Sequence, residues 1–286
     1  MSAPRELGHD QFPSLLREIH DAPSRLHVRG MLHYDRPYVA IVGTRKASAA
    51  GKDFARSLAH DLGRSGFVIV SGLAFGIDAA AHQGALDAHA PTVAVLAGGV
   101  LTPQPRSHTS LAESILQGGG ALLSEHDGKE SLFPYHFLKR NRIVSGLSLA
   151  VIVVEAPERS GALSTARFAL EEGRDVYVVP GPVHNPNYAG SHNLIQDGAH
   201  LITSSDDVIS LLGISHQLDN KNENAVGSQA SGDERAIVEY LTTLQAPASL
   251  DDIHQATQLD ARDVARIVSL LVIQSIIKED RGRYYI

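Results

Sequence analysis

The pattern that most limits what this chain can fold into is a repeat: a short apolar, β-branched run ends near a glycine, and helical spacing of apolar residues follows. Residues 39–42 (Val-Ala-Ile-Val) form the first run, closed by Gly43; after Ser48, which suits an N-cap, Phe54, Leu58 and Leu62 fall at i, i+4 and i+8. Gly66 opens a second run, 67–70, which passes into Ser71-Gly72-Leu73-Ala74-Phe75-Gly76-Ile77-Asp78 and an Ala-rich helix. Further strands are expected at 92–96, 121–123, 149–154, 176–179 and 200–202, with helices at about 108–117, 161–172 and 206–212. Near-continuous apolar runs suit strands covered on both faces better than the alternation of a half-exposed sheet does. The expectation is an α/β chain with a doubly wound, mostly parallel open sheet.

At Ile214 the character changes. Residues 214–231 are polar and read as a flexible linker. Beyond it, helices are expected around 234–243, 250–256 and 261–272, then short strands near 276–279 and 284–286 with Arg281-Gly282 turning between them. Three helices and a terminal β-ribbon make a small C-terminal winged-helix domain, a helix-turn-helix variant. The organisation is thus a lead-in segment 1–37, a sheet domain 38–213, a linker 214–231 and a winged-helix domain 232–286.

Open α/β sheets bind ligands beyond the carboxyl ends of their strands, so the glycine-bearing ends are the places to look for a site. Gly43-Thr44-Arg45-Lys46 puts two cations directly after a strand-ending glycine, where backbone N–H groups and side-chain charge can meet one phosphate. Ser71, Gly72 and Gly76 belong to a turn that resembles a phosphate cradle, though a tight strand-to-helix turn reads the same way. Ser160-Gly161 opens a helix and offers a hydroxyl and free amides to an anion, as an ordinary cap also does. Phe137-Leu138-Lys139-Arg140-Asn141-Arg142 sets three cations and an amide beside an aromatic; cations neutralise phosphate and an aromatic face stacks an unpaired base, a combination suited to single-stranded nucleic acid. A solvated basic helix turn with Phe137 in the core is the plainer alternative.

Taken in register, these fragments resemble the Rossmann-type domain of the DprA/Smf family over residues 38–210. The shared pieces run from Ile41-Val42-Gly43-Thr44-Arg45-Lys46 through Val70-Ser71-Gly72-Leu73-Ala74, Gly76-Ile77-Asp78 and Ala81-His82 to Leu123-Ser124-Glu125. They continue through Arg140-Asn141-Arg142-Ile143, Val154-Glu155-Ala156, Ser160-Gly161, Thr165-Ala166-Arg167, Val179-Pro180-Gly181 and Asn193-Leu194-Ile195. The resemblance implies a protein of natural transformation that binds single-stranded DNA in a basic pocket, dimerises, protects incoming DNA and helps load a RecA-type recombinase. It implies no catalysis and no cofactor. Gly43, Thr44, Arg45, Lys46, Ser71, Gly72, Gly76, Lys139, Arg140, Asn141, Arg142, Ser160 and Gly161 would line that pocket, with Phe137 as the base-stacking ring. The chain departs from the family pattern at Phe75, where a basic residue is usual, and at Leu138, which replaces a proline.

Other chemistries fit less well. Related Rossmann-type phosphoribohydrolases need a carboxylate in the first helical turn after a Gly-Thr step, whereas Thr165 is followed by Ala166, Arg167 and Phe168; Glu155 is the one acid placed near the strand ends. A dinucleotide fingerprint, a nucleophile elbow and a metal motif are absent from the sequence, and of its 15 scattered His the candidates for a chemical role are His82 and His126. With no Cys, and no apolar run near the length of a membrane span, the chain is expected to be a soluble cytoplasmic protein. Its net charge of −7 excludes a broad basic face: residues 37–213 hold 13 Lys/Arg against 16 Asp/Glu, and residues 232–286 hold six against nine. The C-terminal unit is therefore expected to dock protein rather than read duplex DNA, and the DNA site to be five cations gathered in two loops.

Overall fold

The computed structural model describes residues 3–128, 132–214, 230–244, 247–273, 277–280 and 283–285. They form two compact units, Met1–Leu218 and Asp219–Ile286. In the larger unit a nine-stranded sheet runs through β1 (Arg5–Gly8), β2 (Arg25–Gly30), β3 (Tyr38–Val42), β4 (Val68–Ser71), β5 (Thr92–Leu96), β6 (Ala121–Ser124), β7 (Ala150–Val153), β8 (Asp175–Val178) and β9 (His200–Leu201), in the spatial order β1-β2-β6-β5-β4-β3-β7-β8-β9. From β6 to β9 every pairing is parallel. The expected doubly wound α/β sheet is present.

Residues of β3, β4 and β7 are fully buried because successive side chains feed two different layers. Val39, Ile41, Ile69, Ile152 and Val154 pack with α2 (Ala49–Arg64) and α3 (Ile77–Asp87). Ala40, Val42, Val68, Val70, Val151 and Val153 pack on the opposite face with α5 (Pro134–Gly146) and α6 (Gly161–Glu171). Each such Val or Ile contributes about 1.5–3 kcal/mol of burial, and that two-sided demand removes any polar alternation from the strands.

Two departures from the sequence expectation bear on the site. The lead-in segment 1–37 is built into the fold: β2 extends the sheet antiparallel to β6, β1 pairs antiparallel with β2 at the edge, and α1 (Ser14–Arg17) sends Leu16 into the same core as α5. The segment with Lys139, Arg140 and Arg142, expected in a loop, is helical. Pro134 occupies the first turn of α5, where its missing N–H costs nothing. The helix was hidden from periodicity because Arg140, Asn141 and Arg142 are buried along with Ile143 and Val144, leaving no clean apolar stripe.

Also in this unit are α4 (Thr109–Gln117), α7 (Ala189–Gln196) and α8 (Ser205–Leu212). In the smaller unit, α9 (Ala230–Leu244), α10 (Leu250–Thr257) and α11 (Ala261–Ile273) enclose Ile237, Leu241, Ile253, Val264, Val268 and Leu271. Strands β10 (Lys278–Asp280) and β11 (Arg283–Tyr285) pair antiparallel, and Ala248 bridges to Tyr284. Nearly all of the expected linker, residues 215–229, and the expected Arg281-Gly282 turn lie outside the described residues. Among the described residues no helix is long and apolar enough to cross a membrane.

Candidate nucleic-acid interface

The chain winds outward from β3 through β4 and β5 to β6, then returns to β7 on the other side of β3. Loops leaving β3 and β7 therefore diverge to opposite faces, and a crevice must open between them at the carboxyl end of the sheet. It does: a cleft of about 680 Å3 is lined by Val42 to Arg45 after β3, Gly72, Ala74 and Asp78 after β4, Pro157 and Arg159 to Ala162 after β7, and the α5 face carrying Phe137, Leu138, Arg140, Asn141 and Val144. Leu132, Phe133 and Pro134 form its lip.

The β3 loop is rigid in its backbone and free in its cations. Thr44 donates its N–H to the Glu155 carbonyl at 2.7 Å, accepts from the Ile77 N–H at 3.3 Å, and takes the Lys46 N–H on its hydroxyl at 3.2 Å. The buried Glu155 carboxylate accepts from the Ser48 N–H (3.1 Å), the Ser48 hydroxyl (3.0 Å) and the Asn187 amide (2.6 Å), pinning the start of α2. Arg45 and Lys46 themselves remain exposed. The Arg45 guanidinium carbon stands 5.2 Å from the centre of the half-buried Phe137 ring, within cation–π range.

The β4 loop differs from the expected phosphate cradle. Its inward amides are already taken: Gly72 and Ala74 donate to the Asp78 carboxylate at 3.1 and 3.3 Å. Gly76 has φ +79°, and a Cβ there would stand 2.2 Å from the Thr44 carbonyl oxygen, so only glycine lets this loop lie against the first. Ser71 is buried and its hydroxyl donates to the Ile41 carbonyl at 2.7 Å. Burial pushes the Asp78 carboxyl up, opposed by the Arg140 charge and the two amides.

Arg140 forms the cleft floor. It donates to the Gly72 carbonyl at 2.8 Å and to the Val95 carbonyl, and its Nε donates to the Asn141 side-chain oxygen at 3.1 Å. The Asn141 amide continues to the Gly161 carbonyl at 3.2 Å and the Ser164 hydroxyl at 2.9 Å. One polar chain thus ties β4 and β5 to the first turn of α6. A Cβ at Gly72 would come within 2.5 Å of the guanidinium, so glycine makes room for it. Burial brings Arg140 down to about 10, with Asp78 holding it up and Arg45 adding to the fall; it is a cation at pH 7.

The remaining expected residues separate. Arg142 is buried away from the cleft, bonded by Nε to Asp21 at 2.7 Å and by Nη2 to both Glu125 oxygens at 2.9 and 3.0 Å. Lys139 is exposed and pairs with Glu125 at 3.3 Å. Ser160 caps α6, accepting from the Ala162 N–H at 3.2 Å, and Gly161 leaves the helix start open. Three cations line the cleft: Arg45, Arg140 and Arg159. Sequence reasoning passed over Arg159; its position beside the Ser160 cap was the available signal. The structure replaces five cations in two loops with two exposed cations on one loop, one on another and one buried on a helix.

His82 lies in the core with Nδ1 2.8 Å from the Thr92 hydroxyl and Nε2 without a partner; burial brings its pKa down to about 3, helped by His108 and Arg140. His126 meets the His136 ring edge-on at 4.8 Å. Among the described residues no cluster of His, Asp and Glu is arranged to hold a metal ion.

Comparison with known proteins places this architecture. The sequence profile of the DNA recombination-mediator protein A family matches residues 5–213. Protein Smf of Escherichia coli K12 is 44% identical over 216 residues, 75% of this chain and 58% of that protein, so the chain spans little more than half of that relative. DNA processing protein DprA of Bacillus subtilis 168 is 42% identical over 71% of this chain and 68% of its own length. Among solved structures, DprA from Streptococcus pneumoniae superposes with a TM-score of 0.67 at 40% identity, covering 72% of this chain and 73% of that one. DNA processing protein A from Helicobacter pylori, a structure described for its single-stranded DNA binding mode, gives 0.65 at 29% identity, covering 74% and 96%. The chain belongs to the DNA recombination-mediator protein A family, whose members include the proteins called DprA and Smf.

Proposed function

We propose that this protein binds single-stranded DNA in the cleft between the β3 and β7 ends, without catalysis, as a mediator that protects incoming DNA in natural transformation and loads a RecA-type recombinase. The observation that carries this reading is Arg45 poised over the Phe137 ring at the cleft mouth. A base in a duplex has both faces covered by its neighbours; an unpaired base offers a face to the ring while its phosphate meets the guanidinium. Arg45, Lys46 and Arg159 supply charge to the backbone, the start of α6 supplies the Gly161 N–H, its next two amides being held by Ser160, and Arg140 supplies field from the floor. Gly43, Thr44, Ser71, Gly72, Gly76, Asn141 and Arg142 hold this lining in place, and Lys139 flanks it. The binding mode studied in the Helicobacter pylori relative supports the reading.

The protein acts as a cytoplasmic homodimer on this reading, with a sheet domain that ends near 213 and a second domain at 232–286. The smaller one serves as a winged-helix docking or dimer-packing module, its surface acids Asp251, Asp252, Asp260 and Asp263 disfavouring phosphate. Fluorescence anisotropy with oligo-dT should show affinity falling with salt at a log–log slope of about −0.7 per phosphate contact. Equal affinity for duplex of the same length, or no salt dependence, overturns the reading. The hydrolase alternative is disfavoured because the two acids at the strand ends, Glu155 and Asp78, are both engaged by loop donors. Release of base from nucleoside monophosphates would restore it.

A further inference from the structure

Phe75 lies on the β4 loop just outside the cleft that Ala74 lines, and it is 47% exposed. It is exposed yet held. Its ring meets the His108 ring edge-on at 4.8 Å and 70°, and His108 Nδ1 donates to the Leu73 carbonyl at 2.8 Å, fastening both rings to the loop. The next residue, Gly76, sits on the backbone of the cation-bearing loop: a Cβ there would be 2.2 Å from the Thr44 oxygen and 2.9 Å from the Arg45 carbonyl. The backbone that carries Phe75 therefore adjoins the backbone of the loop that carries Arg45 and Lys46, with the Phe75 ring set against His108, while Phe137 stands beneath Arg45 within the cleft. Aromatic, cation, aromatic is the alternation with which a protein tracks an extended single strand, one base to each ring and the intervening phosphate to the cation.

We propose that Phe75 is a second base-stacking platform, for the nucleotide that follows the one on Phe137, with the phosphate between them on Arg45 and Lys46. The proposal rests on the single-strand reading of the cleft and extends it by one subsite. A preformed, immobilised ring binds a base at low entropic cost, because its rotamer is already restrained by His108.

The sequence holds no Trp, so a single Phe75→Trp substitution gives an unshared reporter at this position. Its emission should be quenched by oligo-dT and left unchanged by an abasic strand of equal length. Phe75→Ala should weaken oligo-dT binding by about 5- to 150-fold, leave the salt slope unchanged because no phosphate contact is lost, and have no effect on the abasic strand. An unquenched Phe75→Trp protein at oligo-dT concentrations that saturate anisotropy, or wild-type affinity in Phe75→Ala, overturns the proposal. If wild type and Phe137→Ala behave as the cleft requires while both Phe75 variants are silent, this subsite alone falls. If wild type binds no oligo-dT, the cleft reading falls and takes the subsite with it.

Discussion

Two adjacent loops at the same end of the same sheet, each beginning in a glycine after a buried strand, solve opposite problems. The loop after β3 satisfies its backbone through Glu155 and Ile77 and turns Arg45 and Lys46 outward. The loop after β4 closes its inward amides on its own Asp78. A glycine-rich turn at a helix start binds an external anion only when its amides are unclaimed. Here an internal carboxylate occupies the place a phosphate would take, and that loop becomes the wall against which Arg140 and the first loop are set.

The largest effect should come from removing that internal anion. Asp78→Ala strands the buried Gly72 amide, the part-buried Ala74 amide and the buried Arg140 charge, so the free energy of unfolding in urea should fall by about 3 kcal/mol. Asp78→Asn keeps an acceptor oxygen and should lose less than half as much; a loss below about 1 kcal/mol in Asp78→Ala would erase the contrast between the loops.

On the β3 side the cost should appear in binding instead. Phe137→Ala should weaken oligo-dT binding by about 1–3 kcal/mol, and Arg45→Glu should lower the salt slope by at least about 0.7, both with unchanged urea midpoints. Arg142→Lys makes the complementary test. A lysine cannot hold Asp21 and Glu125 together, so stability should drop by about 1 kcal/mol, moderated because Asp21 is mostly exposed, while oligo-dT affinity should fall only as far as the loosened α5 misplaces the lining, with an unchanged salt slope because no phosphate contact is lost.

The smallest effect concerns pH. His82 titrates near 6.5 when unfolded and near 3 when folded, so between those values the unfolded chain holds a proton that the folded chain refuses. Stability should therefore rise with pH across that window, and going from pH 7 to 6 should cost about 0.7 kcal/mol. His82→Gln should remove that increment, whereas binding through Arg45 should stay flat over the same interval.

The strands of this fold were legible because burial on both faces writes itself as unbroken Val and Ile. The end of β3 was legible for the same reason, since Arg45 and Lys46 follow such a strand directly. Helix α5 was not. Arg140, Asn141 and Arg142 are polar residues in buried positions, made tolerable by carbonyls and carboxylates from β4, β5, Glu125 and residue 21, and none of those partners is near in sequence. Asp78 stands in the first turn of α3, where an acid suits the helix start; that it also closes the preceding loop follows from a left-handed Leu73 (φ +58°) and Gly76, which fold the turn back upon it. Periodicity reads which face of a helix is apolar, and it has no term for a guanidinium whose partners arrive from another strand.

The bond from Arg142 to Asp21 joins positions 121 residues apart, and it fastens the helix that carries Phe137 and Arg140 to a segment that touches the cleft nowhere. A chain begun at Tyr38 would keep every residue that lines the cleft and lose the anchor of the helix presenting six of them, Phe137 and Arg140 included. Trimming this protein to its recognisable motifs would preserve the vocabulary of the site and loosen its grammar, so that weak binding by such a fragment would report on the missing anchor and not on the residues that remain.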